Sequence, residues 1–163
     1  MATPGTIVIV GGGVVGSSIA YHLRRNGHAG RVVVVERDPT YARASSFLAM
    51  GGIRQQFSST VNIQLAQYST RFYAEFDRAL RVPGHLPHTN FRQRGYLFLV
   101  DDGMADRFEA RVEPPRRPGA HLARLTLAHL RALLPGVRLD DLRFVVFGPH
   151  DCPGEPPAVL AGF

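Results

Sequence analysis

Three glycines near the beginning of the chain have the spacing that most clearly indicates a chemical role. Gly11, Gly13 and Gly16 follow the pattern GxGxxG. In this pattern the first glycine allows a tight turn, the second lets the backbone approach a pyrophosphate, and the third lets the following helix lie close to the preceding strand. The chemistry they indicate is the binding of two linked phosphates by backbone N–H groups, which needs no lysine.

An acidic residue stands at a matching distance. Glu36 lies 36 − 16 = 20 residues beyond Gly16, the spacing at which a carboxylate accepts hydrogen bonds from the ribose of a bound adenosine. A carboxylate there also disfavours a 2′-phosphate, because the two negative charges repel. The alternative is that the glycines form a strand-to-helix turn without a ligand. The acid and the surrounding elements favour a dinucleotide-binding site.

Two strands and a helix must position these residues. The runs 7–10 and 32–35 are β-branched throughout, as expected of parallel strands buried on both faces. Between them a helix that begins near Val14 directs the free N–H groups of its first turn, including that of Val15, toward the phosphates. Val15, Ile19 and Leu23 recur every four residues and predict the stripe of the helix that packs on the sheet.

Composition limits the remaining function classes. The net charge is +6 and every basic residue is arginine, but the arginines are scattered, which argues against a nucleic-acid partner. A single cysteine, Cys152, excludes an internal disulfide and a cysteine-based metal cluster, and we predict no metal site. The first strand begins close to Met1 and no apolar run approaches the ~20 residues of a membrane helix. We therefore expect a cytoplasmic protein without a membrane partner.

The later part of the chain predicts a second, separate sheet. Residues 41–57 contain serines, paired glycines and an arginine without a clear period, as in a functional loop. Apolar and aromatic residues at helical spacing between 61 and 76 predict the core-facing side of a long helix that begins at 58–60. Strands are predicted to begin at positions 95, 121 and 142, with a proline-rich break at 113–119 and a helix capped by Thr126.

With the glycine turn, the loop SSFLAMGGIRQQF and the ending DCPGEPPAVLAGF together, the chain resembles the FAD-dependent family of D-amino-acid oxidase, glycine oxidase and sarcosine oxidase. The resemblance implies an α/β fold, a Rossmann-like FAD-binding βαβ unit with part of a second, mixed-sheet substrate domain. It divides the chain into 1–80 (FAD-binding), 81–150 (substrate-binding) and 151–163 (a return segment). Relatives extend well past residue 163, so we expect a truncated chain that holds FAD weakly or not at all and has no amine oxidase turnover.

The same resemblance implies positions for the cofactor. The residues implied to contact FAD are Gly11, Gly13, Val14, Val15, Gly16, Glu36, Arg37, Ser45, Ser46, Gly51, Gly52 and Arg54. The residues from Gly11 to Gly16 are implied to hold the pyrophosphate, and Glu36 and Arg37 to hold the adenosine. Ser45 and Ser46 are implied to lie along the pyrophosphate and the ribityl chain. The last three residues of the list are implied to lie near the flavin ring. Leu48 stands where some relatives attach the flavin through a histidine, which implies non-covalent FAD.

The chemistry implied is hydride removal from the carbon next to a primary or secondary amine, with an amine or amino acid as substrate. A guanidinium at Arg54 beside the flavin would stabilise negative charge on the reduced ring. The alternative is an arginine exposed on a mobile loop. No general base is identifiable, so the catalytic residues are unassigned. Two other readings stay open, a nicotinamide-dependent dehydrogenase and a non-catalytic fragment.

Overall fold

The computed structural model describes residues 5–112 and 121–163, which form two compact units. The first contains the described residues up to Gly51 together with Glu75–Asn90 and Gly154–Phe163, and the second contains Gly52–Ala74 and Phe91–Pro153. The units are interleaved along the chain. The functional division into 1–80, 81–150 and 151–163 stays a prediction. The predicted proline-rich break at 113–119 lies outside the described residues.

Seven strands and six helices, with one short 3-10 turn at Asp102–Met104, are found in the described ranges. In chain order they are β1 (Ile7–Val10), α1 (Val14–Arg25), β2 (Val32–Val35), β3 (Gly52–Ile53), α2 (Thr60–Ala74), α3 (Phe76–Ala79), β4 (Tyr96–Val100), α4 (Ala105–Val112), β5 (Ala123–Leu125), α5 (Leu127–Leu133), β6 (Phe144–Gly148), β7 (Cys152–Pro153) and α6 (Pro156–Gly162). No helix of these ranges combines the length and the apolar character that crossing a membrane requires.

The first unit contains the predicted βαβ arrangement. Strands β1 and β2 pair in parallel, with Ile7 opposite Val32 and Val10 opposite Val35, and α1 connects them. The ends of both strands therefore lie side by side, directly before the glycine turn and before Glu36. The mixed α/β fold with a Rossmann-like unit is confirmed.

The apolar faces of this unit are more exposed than the sequence predicts. Val10 and Val15 are 88% and 70% exposed, and Val8, Ile19 and Val35 are exposed as well. The prediction that both strands are buried on both faces is wrong for the described chain, and so is the packing of Val15 and Ile19 on the sheet. Helix α1 approaches β1 through Gly16, and Tyr21 on another side of α1 meets Phe163, but the described residues leave Val10, Val15 and Ile19 open to solvent.

The rest of the first unit packs around one aromatic residue. Phe76 is fully buried in α3 and meets the ring of Phe163 edge-on, with 4.9 Å between ring centroids. The Phe163 ring also meets Tyr21 of α1 at 5.8 Å. A hydrogen bond from the Glu155 N–H to the Thr89 carbonyl (2.8 Å) fixes the start of α6. This packing holds the segments 75–90 and 154–163 in the first unit.

In the second unit, β6 is the central strand of a three-stranded sheet of order β4-β6-β5, and every pairing in it is antiparallel. Successive residues of β6 point to opposite faces. Phe144 and Val146 pack with Phe108 of α4, whereas Val145 packs with Leu130 of α5. The predicted second sheet is therefore present and separate from the first. Thr126 caps α5 as predicted, because its Oγ1 accepts a hydrogen bond from the backbone N–H of His129 at 3.2 Å.

Helix α2 also differs from its prediction. It begins at Thr60 as predicted, but its buried positions are Ile63 and Thr70, while Val61 and Leu65 are 62% and 59% exposed. The expectation that the 61–76 stripe is wholly core is wrong. Its last member, Phe76, lies beyond the end of α2 in α3, where it is buried in the other unit.

Candidate functional site

The turn after β1 requires glycine at its first position. Gly11 has φ +102°, in the left-handed region that side-chain-bearing residues rarely adopt. Its N–H donates to the Val35 carbonyl, with 2.8 Å between the atoms. The turn is therefore held against the end of β2.

The third glycine of the motif explains the close approach of helix and strand. A Cβ at Gly16 would overlap the carbonyl oxygen of Gly11 and would lie 3.2 Å from Cγ2 of Ile9. Gly16 is buried in this contact. The predicted role of the third glycine in bringing helix and strand close together is confirmed.

The first turn of α1 presents backbone donors. Gly13 is the residue before the helix, and the N–H of Val14 donates to the hydroxyl oxygen of Ser46 at 3.1 Å. Within residues 5–112 and 121–163, no acceptor is found for the N–H groups of Val15 and Gly16. These groups and the positive end of the helix dipole make the start of α1 suited to an anion.

Glu36 lies at the same turn. Its Oε1 accepts from the Asp38 N–H at 2.9 Å, and its Oε2 accepts from the Gly12 N–H at 2.8 Å. These bonds, that of Asp38 foremost, lower the pKa of the Glu36 carboxyl below its usual range. Glu36 is thus a fixed carboxylate beside the glycine turn. Gly12 was not predicted as a site residue, although three consecutive glycines were a visible signal.

A cavity of about 790 Å³ opens at the carboxyl ends of β1 and β2. In open parallel sheets, ligands bind at this edge. The predicted residues Gly11, Glu36, Arg37 and Ser45 line it. The side chains of Asp38, Tyr41 and Arg43 also line it and were not predicted as site residues, since none of them belongs to the glycine motif.

The remaining predicted residue of the first unit is held by backbone packing. Gly51 has φ +76°, and a Cβ there would overlap the carbonyl oxygen of Gly154. The Gly154 N–H in turn donates to the Gly51 carbonyl at 3.0 Å. This packing by itself requires glycine at position 51, whatever else the residue contacts. Leu48, at the position discussed for covalent attachment, is 68% exposed.

The last two predicted residues belong to the second unit. A Cβ at Gly52 would lie 3.6 Å from the Tyr96 ring, an ordinary contact, so no described neighbour requires glycine there. The Arg54 guanidinium carbon lies 5.5 Å from the centroid of the Phe98 ring, a cation–π arrangement. Arg54 is therefore supported on one side by an aromatic ring.

A buried carboxylate fixes the segment that follows Arg54. Asp151 is 1% exposed, and its two oxygens accept from the Gln55 N–H (2.7 Å) and from Nε2 of Gln56 (2.8 Å). Burial raises the pKa of the Asp151 carboxyl, and the bond from Gln56 partly opposes this. This network was not predicted, because its members are more than ninety residues apart.

The donor set of the first unit fits a dinucleotide. A glycine turn that side chains would fill, backbone donors at a helix start and a fixed carboxylate match a pyrophosphate and a ribose. Over the described ranges, no group of three His, Cys, Asp or Glu side chains is arranged to hold a metal ion.

Residues 6–163 match a protein-family model whose description is FAD dependent oxidoreductase. The chain belongs to this family. FAD is the cofactor of the family, and one similar solved structure, L-alpha-glycerophosphate oxidase from Mycoplasma pneumoniae, has FAD bound (TM-score 0.68, 16% identity, 99% of this chain and 41% of the other).

Among relatives, the FAD-dependent oxidoreductase domain-containing protein 1 of Bos taurus is 40% identical over 146 residues, which are 87% of this chain and 30% of that protein. The mitochondrial sarcosine dehydrogenase of Homo sapiens is 27% identical over 151 residues, or 92% of this chain and 16% of the relative. The chain thus spans less than a third of the length of these relatives.

Among solved structures, L-proline dehydrogenase from P. horikoshii superposes with a TM-score of 0.82 at 25% identity, covering 99% of this chain and 41% of the other. Glycine oxidase from Geobacillus kaustophilus superposes with a TM-score of 0.79 at 23% identity, covering 98% of this chain and 43% of the glycine oxidase chain. This second likeness concerns the fold alone.

Proposed function

We propose that the chain is the N-terminal portion of an FAD-dependent oxidoreductase that oxidises an amine or an amino acid. The observation that carries the proposal is the meeting of Glu36 with the glycine turn, where its Oε2 accepts from the Gly12 N–H at 2.8 Å. Glu36 and Gly11 of the turn then line one cavity. Bound FAD would supply the chemistry by accepting a hydride from the carbon next to the amine nitrogen.

In this proposal the backbone of the turn holds the pyrophosphate. The N–H groups of Val15 and Gly16 donate to its oxygens, and the missing side chain at Gly13 leaves room for it. Ser46 is already hydrogen-bonded to the Val14 N–H at 3.1 Å. Its hydroxyl can also donate to a phosphate oxygen, because a hydroxyl donates and accepts at the same time.

The adenosine contacts come from the end of β2 and the loop after it. Glu36 is ionised at neutral pH, since its backbone bonds lower the pKa of its carboxyl, and it accepts from ribose hydroxyls. Arg37 and Ser45 line the same cavity. Leu48 offers no nucleophile, so the proposal includes non-covalent FAD.

Arg54, with Gly51 and Gly52 before it, is proposed to lie near the flavin ring. Support comes from the Phe98 ring, 5.5 Å from the guanidinium carbon, and from the Asp151 bonds that fix the next two residues. A guanidinium held in this way favours negative charge on a reduced ring. An arginine on a mobile loop would lack both supports.

The amine class of the substrate is suggested by proteins of similar sequence or structure that are named for sarcosine and L-proline. The family match favours FAD over the nicotinamide cofactor that the sequence left open. The proposed partner is therefore a small amine or amino acid, with no nucleic acid.

A chimera tests this function. The chain replaces the part of P. horikoshii L-proline dehydrogenase that it superposes on, 41% of that enzyme, and the rest of the enzyme is kept. We expect the purified chimera to contain FAD that L-proline reduces under anaerobic conditions. A folded chimera without FAD would contradict the proposal, as would FAD that dithionite reduces but L-proline does not. The same chimera with Gly13→Ala is the matched control and is expected to lose FAD.

A further inference from the structure

Tyr41 is a side chain of the cavity that the glycine motif does not account for. It lines the cavity together with Glu36 and Arg43. Its φ is +55°, and among the described residues only Tyr41 and Asn90 have a positive φ without being glycine. For a bulky residue this backbone conformation is unfavourable, and such residues concentrate at functional sites.

The turn that holds Tyr41 is tied to Glu36. The Tyr41 N–H donates to the Asp38 carbonyl at 3.0 Å, and the Tyr41 carbonyl accepts from Ala44 at 2.9 Å. The Asp38 N–H donates to the Glu36 carboxylate at 2.9 Å. A strained residue and the carboxylate are therefore fixed relative to each other by a short series of backbone bonds.

The Tyr41 hydroxyl lies over the glycine turn. A Cβ added at Gly12 would be 2.8 Å from Oη of Tyr41 and 3.2 Å from Cβ of Glu36. Gly12, Glu36 and the phenol thus converge. No residue of the described ranges is hydrogen-bonded to this hydroxyl, although it can both donate and accept.

The chemistry of a ribose explains this pairing. Each oxygen of the Glu36 carboxylate already accepts a backbone N–H, and a carboxylate only accepts, so it recognises hydroxyl hydrogens. A ribose has two neighbouring hydroxyls, each of which also has an oxygen that accepts. A phenol beside the carboxylate supplies the missing donor.

We propose that the Tyr41 hydroxyl is a second ligand of the adenosine ribose, next to Glu36, and that the strained turn positions it. The inference rests on the proposed function, because it takes the cavity as the adenosine site. It adds a residue that selects for an intact ribose diol.

The test is calorimetric titration of the 163-residue chain with ADP, 2′-deoxy-ADP and 3′-deoxy-ADP. The unmodified chain is expected to prefer ADP. Tyr41→Phe, which removes only the hydroxyl, is expected to weaken ADP binding about three- to tenfold, the range of a neutral hydrogen bond. It should also reduce the preference over at least one deoxy analogue, which a purely structural role would not change. Tyr96→Phe in the second unit is the matched control and should behave as the unmodified chain.

Tyr41→Asn is a second variant, since asparagine tolerates a positive φ. Tyr41→Asn is expected to bind ADP no better than Tyr41→Phe does. Its thermal unfolding midpoint is expected to be at least as high as that of Tyr41→Phe. Unchanged ADP affinity and unchanged discrimination in Tyr41→Phe overturn the inference while leaving the proposed function intact. Failure of both the unmodified chain and the FAD-free chimera with L-proline dehydrogenase to bind ADP overturns both.

Discussion

The carboxylate of Glu36 accepts a hydrogen bond from the backbone N–H of Gly12, with 2.8 Å between Oε2 and the nitrogen. This bond joins the end of β2 to the turn after β1, twenty-four residues earlier. The residue proposed to hold the ribose therefore also stabilises the turn proposed to hold the phosphates. A change at Glu36 should affect the fold and the binding of a nucleotide together.

The first prediction concerns pH. Because the pKa of Glu36 is lowered in the folded chain, its contribution to stability is present above its ordinary pKa and is lost as the pH falls through the folded-state pKa. Glu36→Gln should therefore lower the urea midpoint near neutrality, and the difference from the unmodified chain should shrink below about pH 4. Glu75→Gln, at an exposed ion pair with Arg78, is the control. An equal difference at both pH values would remove the charge of Glu36 from the explanation.

The second prediction concerns the contact of α1 with β1. Gly16→Ala should destabilise the chain by about 3 kcal/mol, the upper end for overpacking, because the group it meets is backbone and cannot rotate away. Gly136→Ala is the matched control, since a Cβ there meets nothing within 4 Å. Urea unfolding of both variants measures the effect. Similar stability of the two variants would contradict the close packing.

The third prediction separates binding from folding at the second glycine. A Cβ at Gly13 would lie 3.0 Å from Oγ of Ser46, a flexible group that can move by a few tenths of an ångström. Gly13→Ala should therefore unfold close to the unmodified chain but lose ADP binding, because its methyl group occupies the space of the pyrophosphate. Calorimetric titration with ADP provides the measurement. Full ADP affinity in this variant would exclude Gly13 from the site.

The fourth prediction concerns the buried carboxylate of the second unit. Asp151→Asn should destabilise the chain by about 1–3 kcal/mol. The side-chain NH2 of asparagine would face either the Gln55 N–H or Nε2 of Gln56, and two donors facing each other cannot form a hydrogen bond. Asp102→Asn is the control, since its ion pair with Arg143 has an 85% exposed carboxylate and such pairs contribute little. If both variants unfold at the same urea concentration, the network of Gln55, Gln56 and Asp151 does not stabilise the fold.

The fifth prediction concerns Arg54 and applies to the FAD-loaded chimera with L-proline dehydrogenase. Arg54→Ala should slow the anaerobic reduction of the flavin by L-proline more than it weakens FAD binding, because a cation near the ring acts on the reduced state. Stopped-flow absorbance gives the reduction rate and equilibrium dialysis gives the FAD affinity. Equal effects on both quantities, or no effect on either, would place Arg54 away from the flavin ring.

The local arrangement of the site was predictable from the sequence, because it depends on spacing within one βαβ unit. The turn at Gly11, the contact of Gly16 and the approach of Glu36 all follow from a motif with short-range geometry. The strands of the second sheet were likewise predictable from local patterns, within one to two residues at their ends.

Tertiary features were not predictable in this way. Apolar periodicity predicts which face of a helix or strand is suited to burial, but not whether another part of the chain covers that face. Val10, Val15 and Val61 are apolar and exposed, so periodicity alone did not predict their burial correctly. The bonds of Asp151 join residues more than ninety positions apart. Tyr41 gave no signal either, because its role depends on a backbone angle that a single sequence does not contain.

The most direct test of the central claim compares the two halves of FAD as ligands of the 163-residue chain. ADP contains the adenosine and pyrophosphate, whereas FMN contains the flavin and a single phosphate. Calorimetric titration should give similar, weak dissociation constants for ADP and FAD, competition between them, and no detectable binding of FMN. Binding of FMN as tight as that of FAD, or binding of FAD with which ADP does not compete, would contradict the assignment of the glycine turn and Glu36 to the adenosine half of the cofactor.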